Sequence, residues 1–219
     1  MMKKVCIIGI GLIGGSLAKA INKTQQSEIV FGFGRDKSRL EKAQKSNVID
    51  QYSTDIGEAL DGANMVIIAT PVGSYESILK EMKPHIVEGM VISDVGSTKV
   101  SVIEAVKSVF DGALDNFIPA HPIAGKEKVG FEVSDEDLFV NRKVIITPLE
   151  NNNPESIKIL AKMWEGVGAE VDFMTPQSHD DLLGMTSHLP HMLAFSLVNY
   201  LISQHPEASV YAAGGFKDF

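Results

Sequence analysis

Short apolar runs of β-type residues alternate with amphipathic stretches along most of the chain. The runs fall at 5–8, 29–33, 65–69, 90–93, 117–119 and 144–147, and the helical patterns at 14–23, 37–46, 74–82, 99–110 and 154–165. Valine and isoleucine fill these runs almost continuously, as in strands covered on both faces. Strands joined by a dozen or more helical residues are crossover-connected, so the pattern predicts an α/β fold with a doubly wound, mostly parallel sheet. From His179 to Gln204 the periodicity is helical, and no further strand follows. The chain is therefore expected to divide into a sheet domain over 1–175 and the start of an all-helical domain over 176–219. One or two helices cannot bury their own apolar faces, so a partner subunit or further chain is expected to cover them.

The first run turns on glycines directly into a helix: Val5-Cys6-Ile7-Ile8-Gly9-Ile10-Gly11-Leu12-Ile13-Gly14-Gly15-Ser16. Gly9 allows a sharp turn off the strand, Gly11 leaves the backbone open to a pyrophosphate, and Gly14 lets helix and strand pack closely. Leu12 and Ile13 open the helix, whose N-terminus offers free N–H groups and a positive dipole end. A glycine triplet in this strand-to-helix context is a Rossmann-type dinucleotide site. Thr70, Pro71 and Val72 follow the 65–69 run at the same predicted sheet edge, where ligands of open α/β sheets bind, and are expected to line the cofactor site. The second run ends Phe31-Gly32-Phe33-Gly34-Arg35-Asp36. Gly34 stands where an acid would accept the ribose hydroxyls of NAD, and Arg35 can pair with a 2′-phosphate, which favours NADP over NAD. Asp36 remains an alternative acid if the strand ends one or two residues later, and Arg35 a solvated helix-start residue.

Composition narrows the classes. Among 219 residues, 44% are hydrophobic and 22% charged, and 20 Lys+Arg against 28 Asp+Glu leave a net charge of −8. That balance argues against a general nucleic-acid or membrane-surface partner. No apolar run reaches membrane-spanning length and Met1-Met2-Lys3-Lys4 leads straight into a core strand, so a cytoplasmic location is expected. Cys6 is the only cysteine and lies within a predicted strand, which excludes an intrachain disulfide and a cysteine metal site. No metal is expected.

Further segments cluster at the predicted carboxyl ends of strands: Ala69-Thr70-Pro71-Val72, Ser93-Asp94-Val95-Gly96-Ser97-Thr98-Lys99 and His121-Pro122-Ile123-Ala124-Gly125-Lys126-Glu127. Beyond them come His179-Asp180 and Ser187-His188-Leu189-Pro190-His191. Together and in this order, from Lys4 to Phe219, they resemble the prephenate/arogenate dehydrogenase family of tyrosine biosynthesis. The resemblance implies NAD(P)-dependent oxidative decarboxylation of a small-molecule substrate, prephenate or arogenate, in which the ring carbon bearing a hydroxyl loses hydride as the ring carboxylate departs. It assigns His121 to the ring hydroxyl's proton and Ser97 to a shared hydrogen bond with that hydroxyl. His191, Glu127, Asp180 and Gly125 match positions at the substrate.

Each position also has a plainer reading. One of His188 and His191 can face the interior with a satisfied ring nitrogen, while a zinc pair lacks a third ligand at suitable spacing. Asp180 beside Asp181 can serve the helix dipole, Asp94 and Lys99 can merely cap and solvate the following helix, and Met185, Met192, Phe195 and Leu197 read as core packing. Family members continue past Gly214-Gly215-Phe216-Lys217-Asp218-Phe219 into helices that supply a homodimer interface and an arginine for a substrate carboxylate. This chain stops at Phe219. The competing expectations are a non-catalytic dinucleotide-binding fragment and another Rossmann dehydrogenase of a small hydroxy acid.

Overall fold

The computed structural model describes residues 1–112, 114–205 and 207. They form two compact units, Met1–Pro176 and Gln177–Phe219. In the first unit the alternation of the sequence becomes β1 (Met2–Ile8), α1 (Leu12–Lys23), β2 (Ser27–Phe33), α2 (Lys37–Lys45), β3 (Gln51–Ser53), α3 (Ile56–Leu60), β4 (Met65–Ile68), α4 (Tyr75–Met82), β5 (Val91–Asp94), α5 (Val100–Phe110) and β6 (Phe117–Ile118). These strands make one parallel sheet in the order β3-β2-β1-β4-β5-β6. The order reverses direction beside β1, and the crevice at such a switch point is where α/β sheets take ligands.

Alternate residues of a strand face opposite sides of a sheet. Along β1, Val5 and Ile7 join the apolar layer under α1, whereas Cys6 and Ile8 join the layer under α4 and α5. Both faces are thus buried, which is why the strands read as continuous apolar runs. The short β3 and helix α3 escape the sequence pattern, and so does β9 (Glu170–Phe173), whose four residues are half-buried or exposed.

The expected strand at 117–119 is in fact two strands in two sheets. Pro119 has no N–H to give a ladder, and its carbonyl accepts the Thr147 N–H at 2.9 Å. The chain leaves the first sheet there and re-enters as β7 (Ala120–Pro122), antiparallel to β8 (Lys143–Ile146), which is in turn parallel to β9. Helix α6 (Pro154–Gly166) connects β8 to β9.

In the second unit the helical stretch is not continuous. Helix α7 (Pro176–Leu183) widens into a π-type turn at Gly184–His188 before α8 (Leu189–Gln204). Pro190 supplies the reason: its missing N–H and its ring both disfavour a regular bond to the preceding turn. Met185, Met192, Phe195 and Leu197, expected in a core, are exposed. Helix α8 carries apolar side chains around its whole circumference, so a helical stripe does not sort them to one side. The Gly214-to-Phe219 segment lies outside the described residues, among which no helix is long and apolar enough to cross a membrane.

Burial pushes the Cys6 thiol up to about 12. In the unfolded chain that proton leaves near 9, so raising the pH from 9 towards 12 favours unfolding. At neutral pH a thiol reagent is expected to label Cys6 only as fast as the protein opens, and fully in denaturant. Rapid stoichiometric labelling of the native protein would contradict this burial.

Candidate active site

The glycine loop leaves β1 at Gly9, whose φ of +96° suits glycine and whose N–H donates to the Phe33 carbonyl at 2.8 Å. Gly11 is the N-cap of α1, with no side chain capping it, so the first N–H groups of the helix, beginning at Leu12 and Ile13, are presented for a ligand. A Cβ on Gly14 would lie 2.2 Å from the Gly9 carbonyl oxygen, whereas one on Gly11 would meet nothing within 4 Å. Gly14 is therefore required by packing, and Gly11 stands before open space.

That space is a cavity of about 410 Å³ lined by Gly9, Gly11, Gly34, Arg35, Thr70 and Pro71. The size suits a ligand site. Open backbone N–H groups, an unblocked Gly11 and a bordering arginine fit a dinucleotide phosphate chain. Val72 begins the 3-10 turn after Pro71 rather than lining the cavity. Arg39, Ser74, Ser77 and Glu81 also line it. The sequence reading missed them, although Arg39 was legible as a second arginine, in the first turn of α2 and four residues after Arg35.

At the end of β2, Asp36 is the N-cap of α2, and its Oδ1 accepts the Arg39 N–H at 3.1 Å. Its carboxylate is engaged by the helix, and Gly34 occupies the position after Phe33 where an acid would stand.

Lys99 does occupy the N-cap position of α5, without capping it through its side chain, but neither it nor Asp94 is solvated as expected from sequence. Both side chains are fully buried, with Lys99 Nζ 2.5 Å from Asp94 Oδ2. The same ammonium donates to the Ala120 carbonyl at 2.7 Å. Asp94 accepts the Gly96 N–H on Oδ2 at 2.8 Å and the Ala120 N–H on Oδ1 at 3.1 Å. Tyr75 Oη lies 3.3 Å from Asp94 Oδ2 and 3.2 Å from the Ile68 carbonyl oxygen. Burial, together with the Asp94 carboxylate, holds the Tyr75 hydroxyl far above the usual phenol range, so it stays a donor.

One carboxylate thus ties down the residue before Ser97 and the residue before His121. Ser97 is exposed on the loop after β5, and His121 is half-buried on β7. Gly125 and Glu127 lie on the exposed loop that follows. That loop returns over α1: the Asp135 N–H donates to Ser16 Oγ at 2.9 Å, Lys19 Nζ donates to the Ser134 carbonyl at 2.9 Å, and Lys126 pairs with Asp135 at 2.8 Å.

In the second unit, Asp180 is paired with its neighbour, His179 Nδ1 lying 2.7 Å from Asp180 Oδ1. His191 Nδ1 lies 2.9 Å from the Ser187 carbonyl oxygen. A carbonyl only accepts, so Nδ1 carries a hydrogen and donates it.

These features have counterparts among known proteins. The family described as "Prephenate dehydrogenase, nucleotide-binding domain" matches residues 17–173, and "Prephenate dehydrogenase, dimerization domain" matches 175–219. The chain belongs to the prephenate dehydrogenase family. It is 31% identical to a cyclohexadienyl dehydrogenase of Zymomonas mobilis, over 100% of this chain and 75% of that protein. It is 34% identical to a prephenate dehydrogenase of Lactococcus lactis, over 99% of this chain and 60% of that protein. Among solved structures, prephenate dehydrogenase from Aquifex aeolicus in complex with hydroxyphenyl propionate and NAD+ superposes with a TM-score of 0.91 at 34% identity, covering 100% of this chain and 77% of that one. Membership makes the chain an oxidoreductase of the prephenate/cyclohexadienyl dehydrogenase type, with a nicotinamide dinucleotide as cofactor. The function it carries is NAD(P)-dependent oxidative decarboxylation in tyrosine biosynthesis.

Gly11→Ala is expected to leave stability within about 1 kcal/mol, the N-cap difference between these residues, while dinucleotide binding measured by fluorescence titration weakens at least about tenfold. Gly14→Ala is expected to lower the melting temperature, because overpacking costs about 1–3 kcal/mol. Equal behaviour of the two variants would contradict the division of roles between these glycines.

Proposed function

We propose that the chain acts on prephenate, arogenate or both, with NADP as the preferred cofactor and His121 and Ser97 at the reacting hydroxyl. The observation that carries the reading is the shared anchoring of Gly96 and Ala120 by Asp94, which brings the backbones before Ser97 and His121 to one carboxylate. A neutral imidazole at His121 takes the ring hydroxyl's proton as carbonyl character develops, and the Ser97 hydroxyl shares a hydrogen bond with the same oxygen. The bound dinucleotide supplies the hydride acceptor. Loss of the ring carboxylate is driven by aromatisation and requires no general acid from the chain.

Gly125, Glu127, His191 and Asp180 are proposed as further substrate-contacting residues. The preference for NADP is supported by Gly34, by Arg35 at the cavity and by the engagement of Asp36 as a helix cap. A homodimer is supported by the match to a dimerization domain and by the exposed Leu189, Met192, Leu193, Phe195 and Tyr200 of α8.

Arg35→Ala is expected to raise the KM for NADP by about 10–100-fold, the loss of a charge-assisted contact, with little change for NAD. A Cβ at Gly34 would meet only Leu40, at 3.6 Å. Gly34→Asp therefore has room and is expected to shift the preference towards NAD; unchanged NADP kinetics in both variants would refute the assignment. His121→Asn is expected to lower kcat by about 10²–10⁴-fold and to remove the acid limb of the pH profile of kcat/KM. The sign follows from the role: a base works deprotonated, so activity rises with pH until the limb ends.

A further inference from the structure

We propose that Asp94, Lys99 and Tyr75 form the positioning element of the reaction, setting His121 and Ser97 against each other through backbone bonds rather than by touching substrate. The inference rests on the reading of His121 as the base and goes beyond it in assigning what holds that base. Asp94 Oδ1 accepts the N–H of Ala120 and Lys99 Nζ donates to its carbonyl oxygen, so both backbone polar groups of the residue before His121 belong to one ion pair. Asp94 Oδ2 takes the N–H of Gly96, the residue before Ser97. Tyr75, fully buried, adds its hydroxyl from α4.

The location is where support is needed. Pro119 interrupts the ladder and the chain changes sheets between β6 and β7, so His121 enters on a strand of only three residues. Such a short strand needs tertiary bonds to fix where its side chains project. A buried ion pair is a poor way to gain stability, since apolar residues of the same volume often do as well. Its advantage here is directional: a carboxylate with two oxygens and an ammonium with three donors bind three backbone groups in fixed geometry. Reacting groups must be held to within a fraction of an ångström, and a misplacement of about 1 Å costs about 10²-fold in rate.

The test is a double-mutant cycle, with kcat, KM and dinucleotide Kd measured for Asp94→Asn, Tyr75→Phe, His121→Asn and the two doubles carrying His121→Asn. Asp94→Asn is expected to lower kcat by about 10²-fold with dinucleotide Kd changed less than about threefold, the signature of lost transition-state placement. In the His121→Asn background the same substitution is expected to cost less than about threefold, because the group it positions is gone. Should Asp94→Asn fail to fold, Tyr75→Phe carries the test, with an expected loss of about threefold to tenfold in kcat that vanishes beside His121→Asn. Equal losses in both backgrounds, or an unchanged kcat in the folded single variants, would overturn the proposal. If His121→Asn itself retains kcat, the reading of the base fails, a result visible before any double variant is assayed.

Discussion

The fold hangs on the absence of one methyl group. Because Gly14 has no Cβ, α1 sits against the Gly9 carbonyl at the end of β1, and its N-terminus points into the crevice at the switch point of the sheet. Much else follows from that crossing. The same helix presents Gly15 to Phe131 and Ser134, while Ser16 and Lys19 bind the returning loop. A side chain at Gly14 would lift the helix away from β1. The dipole end, the open space before Gly11 and the landing surface for the loop would shift with it.

The second anchor is electrostatic and lies deeper. Asp94 and Lys99 are each wholly removed from water, which costs several kcal/mol per ion and is repaid only when every donor and acceptor finds a partner. Here the partners include backbone groups of two separate segments, so the arrangement works as a joint rather than as a reservoir of stability. Removing one member strands the other as a buried charge, a penalty of about 3–5 kcal/mol. Surface pairs such as Lys80–Glu76, both more than half exposed, contribute far less. The two kinds of ion pair on this chain therefore do different things.

The central strands were legible because their neighbours bury both faces and so demand unbroken valine and isoleucine. The glycine loop was legible because each glycine answers a separate steric demand. β3 was not, being three residues at the sheet edge, and β9 was not, because only one of its sides meets a neighbouring strand. The sheet change at Pro119 was hidden because a proline between apolar residues looks like a strand end, and the Thr147 bond and the β7–β8 pairing that carry the backbone into a second sheet come from residues far along the chain. Asp94 and Lys99 read as helix-start residues because their spacing suits a cap. Their true partners, Tyr75 and Ala120, lie 19 and 26 residues from Asp94, where no local rule reaches. On α8 the apolar residues were visible but their exposure was not, since periodicity reports which side chains avoid water and not what covers them.

The loop after β7 reaches back to α1 through bonds between residues 115 and 119 positions apart. Contacts of such long range are closed late, because the entropy of joining distant points must be met before they return anything. The β1–β2 pairing, between residues some two dozen positions apart, can form far earlier. The phosphate-facing end of α1 thus needs only the first part of the chain, and its flank needs residues almost as far along as β8. During synthesis the residues of the turn that meets phosphate emerge well before those of the wall around it.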